Sequence, residues 1–89
     1  MIARTVIIRN KLGLHARAAV KFVNTANRFG SEVRIEKDGS DVDGKSILGI
    51  LTLAATQGSE ITLLVSGEDE ETALDALVRL INGKFDEKE

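Results

Sequence analysis

The sequence predicts an α+β open-faced β-sandwich, with a four-stranded, mainly antiparallel sheet and three helices on one face, in the order β-α-β-β-α-β-α. Two observations carry that prediction. Apolar spacing alternates along the chain between a period of two, as in Glu32-Val33-Arg34-Ile35-Glu36-Lys37, and steps of three and four, as in Ala19, Phe22, Val23, Ala26 and Phe29. Turn residues punctuate these segments, and Asp38-Gly39 is a strong two-residue hairpin signal.

Each element has its own reason. Residues Ala3 to Arg9 are rich in β-branched types, with Val6 and Ile8 on one side and Thr5, Ile7 and Arg9 on the other. Asn10-Lys11-Leu12-Gly13 breaks that strand. A helix is expected from Ala16 to Phe29, with Gly30 as its C′ residue. The second strand runs from Glu32 to Lys37. The third, Ser40 to Asp43, is short and polar except for Val42, which suits a sheet edge. Ser46 is placed to cap a short helix through the apolar stretch Ile47 to Ala55. Ile61, Leu63 and Val65 alternate in a fourth strand. Acids from Glu68 to Glu71 open the last helix, where its dipole favours them, and Ala73, Leu74, Leu77, Val78 and Ile81 form its buried stripe. Asn82-Gly83 stops it. The 89 residues read as a single domain, 1–89, with 86–89 expected to fray.

Composition narrows the function. There is no cysteine and one histidine, which removes disulfide frameworks and thiolate or histidine metal sites, so no metal or cofactor is expected. The acidic segment Asp38 to Gly44 lacks the ligand spacing of a calcium loop. Twelve basic residues are dispersed among fourteen acids and the only aromatics are three phenylalanines, so nucleic acid has neither a basic stripe nor a stacking platform to bind. No apolar run reaches membrane-spanning length and Met1 to Thr5 shows no signal-peptide core, so neither membrane insertion nor secretion is expected.

Three features carry possible chemistry. His15 lies in Gly13-Leu14-His15-Ala16-Arg17, where strand gives way to helix. Helix-start amides lack intrahelical partners and the dipole is positive there, which makes an anion site. Imidazole is a nucleophile near neutral pH, and the amides of Ala16 and Arg17 with the Arg17 guanidinium can hold a phosphoryl group on it. The residues alone favour the plainer alternative, a surface cap residue with no chemistry. Ser46 is either a cap alone or a phosphorylation switch at a helix start. In the stretch Ile47 to Leu51, Ile50 is expected inward with Leu53, while Ile47, Leu48 and Leu51 form an exposed apolar patch for a partner, or the whole helix is buried.

Taken together, Gly13-Leu14-His15-Ala16-Arg17, Gly44-Lys45-Ser46-Ile47-Leu48-Gly49-Ile50 and Gly67-Glu68-Asp69-Glu70 resemble the HPr family, the histidine-containing phosphocarriers of the bacterial phosphotransferase system. The resemblance spans nearly the whole chain. It implies a cytoplasmic, monomeric phosphoryl carrier rather than an enzyme. Enzyme I, phosphorylated from phosphoenolpyruvate, passes the phosphoryl group to Nδ1 of His15, and phospho-His15 passes it to an Enzyme IIA protein or domain in sugar uptake. Arg17 matches the phosphate-stabilising arginine. Ser46 matches the serine modified by the HPr kinase/phosphorylase. Ala16, Val20, Ile47, Leu48, Gly49 and Leu51 match the docking surface.

Two departures stand out. Ala18 occupies the usual proline position after the arginine, and Asn24, Asn27 and Gly49 stand where some enteric members carry lysine. The alternatives are the nitrogen-related regulatory branch of the same system and a non-catalytic regulatory binding protein, against which the presence of His15 argues. An amino-acid sensor of the ACT type shares the split β-α-β topology but gives no reason for His15-Ala16-Arg17.

Overall fold

The hairpin at Asp38-Gly39 forms with both turn residues at positive φ, 51° and 83°. It anchors an architecture that a computed structural model describes for residues 1–89. The elements are β1 (Ile2–Ile7), α1 (Ala16–Ala26), β2 (Glu32–Lys37), β3 (Ser40–Asp43), α2 (Ile47–Thr52), β4 (Glu60–Ser66) and α3 (Glu70–Asn82), followed by one left-handed turn, Lys84–Asp86, with all three residues at positive φ. The sheet order is β1-β4-β2-β3 and every pairing is antiparallel, so the expected fold class is the observed one. The polar β3 is an edge strand, as its composition predicts.

Register explains the core. Val6 pairs with Ile61, Ile35 with Leu63 and Val33 with Val65, and all six side chains are buried on one face. The helices cover that face. Ala19, Phe22 and Ala26 of α1 and Ala73, Leu77 and Ile81 of α3 are all fully buried. The opposite face is solvated, where Thr5 and Thr62 exchange a 3.1 Å hydroxyl contact and Arg34 Nε donates to Asp41 at 2.8 Å.

Three expectations need correction. Helix α1 stops at Ala26 rather than Phe29, because its last carbonyls are taken by tighter bonds, Arg28 to Thr25 at 3.1 Å and Phe29 to Ala26 at 3.2 Å. Gly30 is therefore not a helix C′ residue. Its amide and that of Ser31 donate instead to the Asp69 carboxylate, at 2.9 and 3.0 Å. Helix α2 ends at Thr52 rather than Ala55, since Ala54 turns to φ 50° and releases the Ala55 carbonyl to the Leu14 amide at 2.9 Å. The tail, expected to lie free at 86–89, is packed back against the body of the domain. Phe85 is fully buried, Lys21 Nζ donates to its carbonyl, and Glu87 reaches back to Asn10 and His15. The apolar driving force on Phe85 holds what composition alone reads as a charged end.

Candidate functional site

The site is assembled around the chain entering α1. Gly13 has φ 68°, and a Cβ there would stand 2.4 Å from the Ala55 carbonyl oxygen. Only glycine allows both that conformation and that approach. Leu14 is buried beside it, with its amide bound to Ala55, so the backbone that presents His15 is held from two sides.

His15 is the N-cap residue of α1, with extended backbone at φ −78° and ψ 178°. Its carbonyl accepts the Ala19 amide at 2.9 Å, but its imidazole makes no capping bond. The amides of Ala16, Arg17 and Ala18 form the first turn and have no intrahelical acceptor. The sole histidine thus stands at the positive end of a helix with its ring free for other partners. The ring is 26% exposed. Arg17 is exposed, with no ion pair. It lines a shallow cleft with Lys11 and Lys21 on one hand and the tail residues Asp86, Glu87, Lys88 and Glu89 on the other.

One residue in this group is absent from the sequence reading. Nε2 of His15 is in hydrogen-bond contact with Glu87 Oε2. The other Glu87 oxygen accepts from Asn10 Nδ2 at 2.9 Å, and the same nitrogen donates to the Gly13 carbonyl at 2.8 Å. Partial burial pushes the Glu87 carboxyl upward, but the hydrogen bonds from Asn10 and His15, with the charges of His15 and Lys21, outweigh it and hold Glu87 below the usual carboxylate range. The available signal was Phe85, an aromatic residue beyond the Asn82-Gly83 helix stop, whose burial draws the tail inward.

Ser46 is the N-cap of α2. Its hydroxyl accepts the Gly49 amide at 3.0 Å and its carbonyl accepts the Ile50 amide at 3.0 Å. A Cβ on Gly49 would stand 3.3 Å from both Cβ and Oγ of Ser46, so this glycine leaves the cap room. Ile50 and Leu53 point into the core, as expected. Leu48 is 76% exposed, and Ile47 and Val20 are partly so at 39% and 40%. Leu51 differs from expectation, being half-buried and packed against the core. Ala16 is exposed and Gly49 half-buried. Of the six exposed large apolar residues, Leu12, Val20, Ile47 and Leu48 lie on α1, on α2, which packs against it, or on the loop before α1. No group of three or more His, Cys, Asp or Glu is gathered as for a metal ion, and no helix is long and apolar enough to cross a membrane.

The family model described as the PTS HPr component phosphorylation site matches residues 2–83. This chain belongs to the HPr family. Phosphocarrier protein HPr of Neisseria meningitidis is 52% identical over 89 residues, covering all of both chains. HPr-like protein Crh of Bacillus subtilis is 48% identical over 81 residues, 91% of this chain and 95% of that protein. Among solved structures, HPr-C-His from Thermoanaerobacter tengcongensis superposes with a TM-score of 0.96 at 48% identity, covering all of both chains. The HPr family is one of phosphocarriers of the phosphotransferase system, and the fold described here is the fold of its solved members.

Proposed function

We propose that the chain carries a phosphoryl group on Nδ1 of His15, accepting it from Enzyme I, phosphorylated from phosphoenolpyruvate, and passing it to an Enzyme IIA protein or domain in sugar uptake. The observation that carries this reading is the placement of the only histidine at the N-cap of α1, with its ring not engaged in capping. Free amides of Ala16 and Arg17 and the positive helix end favour the charge that arrives with the phosphoryl group. Arg17, exposed and unpaired, supplies a guanidinium for the phosphoryl oxygens. The chain acts as a covalently modified participant without a substrate pocket of its own, in the cytoplasm and as a monomer.

Partners dock on the exposed apolar side chains Val20, Ile47 and Leu48, with Ala16, Gly49 and the edge of Leu51 completing the surface. Ser46, at the margin of that surface, is the regulatory site for an HPr kinase/phosphorylase. Its placement before an apolar helix explains why added charge there acts on docking. The good Ser46 context, Gly44 to Ile50, favours the sugar branch, or a role in both branches, over the nitrogen branch alone.

The test is incubation with Enzyme I and phosphoenolpyruvate, followed by intact mass and acid-lability analysis. One acid-labile phosphoryl group is expected on the wild-type chain and none on His15→Ala, which should remain folded because the lost side chain is partly exposed and caps nothing. Labelling that persists in His15→Ala sinks the assignment.

A further inference from the structure

We infer that Glu87, in the C-terminal tail, is a positioning residue for phosphoryl transfer: its carboxylate keeps the His15 ring proton on Nε2 and so leaves the Nδ1 lone pair as the nucleophile. This rests on the carrier reading above and adds a residue to it. Glu87 lies beyond residues 2–83, the span matched by the family model, so the family match does not assign it.

A neutral imidazole has one proton for two nitrogens, and an ionised carboxylate only accepts. The contact between Nε2 and Glu87 Oε2 is therefore a hydrogen bond only when the proton is on Nε2. In the neutral ring Nδ1 then carries a lone pair and no proton. At metal sites a carboxylate bonded to the non-ligating nitrogen of a histidine fixes the tautomer in the same way.

The carboxylate is itself held. Its second oxygen accepts from Asn10 Nδ2, whose side chain is fully buried. That nitrogen also donates to the Gly13 carbonyl, so both partners are acceptors and the amide has one orientation. On the chain side, Phe85 is fully buried and its carbonyl takes the Lys21 ammonium, while the Lys11 amide donates to the Glu89 carbonyl. Glu87 is thus pinned before and behind, and its side chain is only 13% exposed. Its depressed pKa keeps it ionised at neutral pH.

The transfer step balances with Glu87 as a spectator that moves no proton. The Nδ1 lone pair forms the bond to phosphorus. The bond from phosphorus to the donor's leaving group breaks, and its electron pair departs with the donor. The His15 ring keeps its Nε2 proton and gains a positive charge that faces the Glu87 carboxylate. In onward transfer, the electron pair of the Nδ1–P bond returns to Nδ1, and the ring leaves as neutral imidazole still protonated on Nε2. An acid at Nε2 does not occupy the reacting nitrogen, which separates this arrangement from a blocking lid.

The experiment combines a tautomer readout with kinetics. Nitrogen NMR on ¹⁵N-labelled, unphosphorylated full chain should show the neutral ring as the Nε2–H tautomer in wild type and in Glu87→Gln, which keeps an acceptor. In Glu87→Ala it should show a mixture. Rapid-mixing transfer from phosphorylated Enzyme I should slow about 10-fold in Glu87→Ala, the scale of losing a histidine's supporting partner. Glu87→Gln should fall between, because the hydrogen bond is kept and the charge is lost. Circular dichroism melting confirms that both variants are folded. A wild-type tautomer mixture, or unchanged tautomer and rate in Glu87→Ala, overturns the inference. So does a faster rate in Glu87→Ala, which would make the tail an obstruction. A wild-type chain that accepts no phosphoryl group would overturn the carrier reading instead, while the tautomer measurement stands apart from it.

Discussion

At the scale of single residues, the site separates groups that present chemistry from groups that hold them. Gly13, Leu14 and Asn10 hold: a positive φ, a buried side chain and a buried amide fix where His15 emerges. Arg17 is exposed and carries no ion pair, which suits the phosphoryl-stabilising role proposed for it. Arg17→Ala is therefore expected to slow transfer about 10- to 100-fold, less than the loss of a buried oxyanion donor, since solvent screens an exposed guanidinium. Its stability should move by no more than about 0.5 kcal/mol. Transfer kinetics with Enzyme I and with an Enzyme IIA, set beside a thermal melt, check both halves. Unaltered rates with both proteins would remove Arg17 from the site.

At the scale of elements, two helix starts differ in what their cap residue does. Ser46 uses its hydroxyl to cap α2, whereas His15 leaves its ring free of α1. Ser46→Asp is expected to keep the fold, because an anion at a helix start is favourable and aspartate is itself a good cap. It should slow Enzyme I transfer at least about 10-fold, an effect of about 1.4 kcal/mol, by placing charge beside the apolar side chains of Ile47 and Leu48. An intact fold with an undiminished rate would leave Ser46 as a cap and nothing more. In α1, Ala18 is the third helical residue, and its amide has no intrahelical acceptor. Ala18→Pro should therefore be tolerated, with a gain of about 0.4–1 kcal/mol if the fully buried site admits the ring. Differential scanning calorimetry decides this, and a large fall in melting temperature would show that the ring does not fit.

At the scale of the whole molecule, carboxylates tie distant segments together. Asp69 stands at the start of α3 but does not cap that helix; it binds Ser31 Oγ and the amides of Gly30 and Ser31 across the fold. The Ser31 hydroxyl first, then the Gly30 amide, hold its carboxyl below the usual range against desolvation. Glu87 is likewise depressed. A depressed carboxyl adds stability above its unfolded pKa of about 4 and loses it as pH falls through the lower folded value. Thermal melts should thus show stability declining below about pH 4, with the decline shallower in Asp69→Asn. An equal acid slope in that variant and wild type would show that Asp69 does not couple folding to pH.

Local pattern was enough for much of this molecule. The two apolar periods, the Asp38-Gly39 turn and the polar third strand announce the elements and the edge position of β3, because side-chain periodicity follows backbone geometry directly. His15, Arg17 and Ser46 were legible as candidates because helix starts have a sequence signature. Element ends were less legible. Where α1 and α2 stop depends on carbonyls claimed by tighter turns and by Leu14, and Leu51 packs against a core whose shape no local window contains. Least legible of all was Glu87, in a charged tail that by composition belongs in solvent. Only tertiary structure brings it to His15, because burial of Phe85 and the buried donor of Asn10 join segments more than seventy residues apart in sequence. Periodicity is a property of neighbours along the chain, whereas a hydrogen bond across the fold exists only once the core has closed.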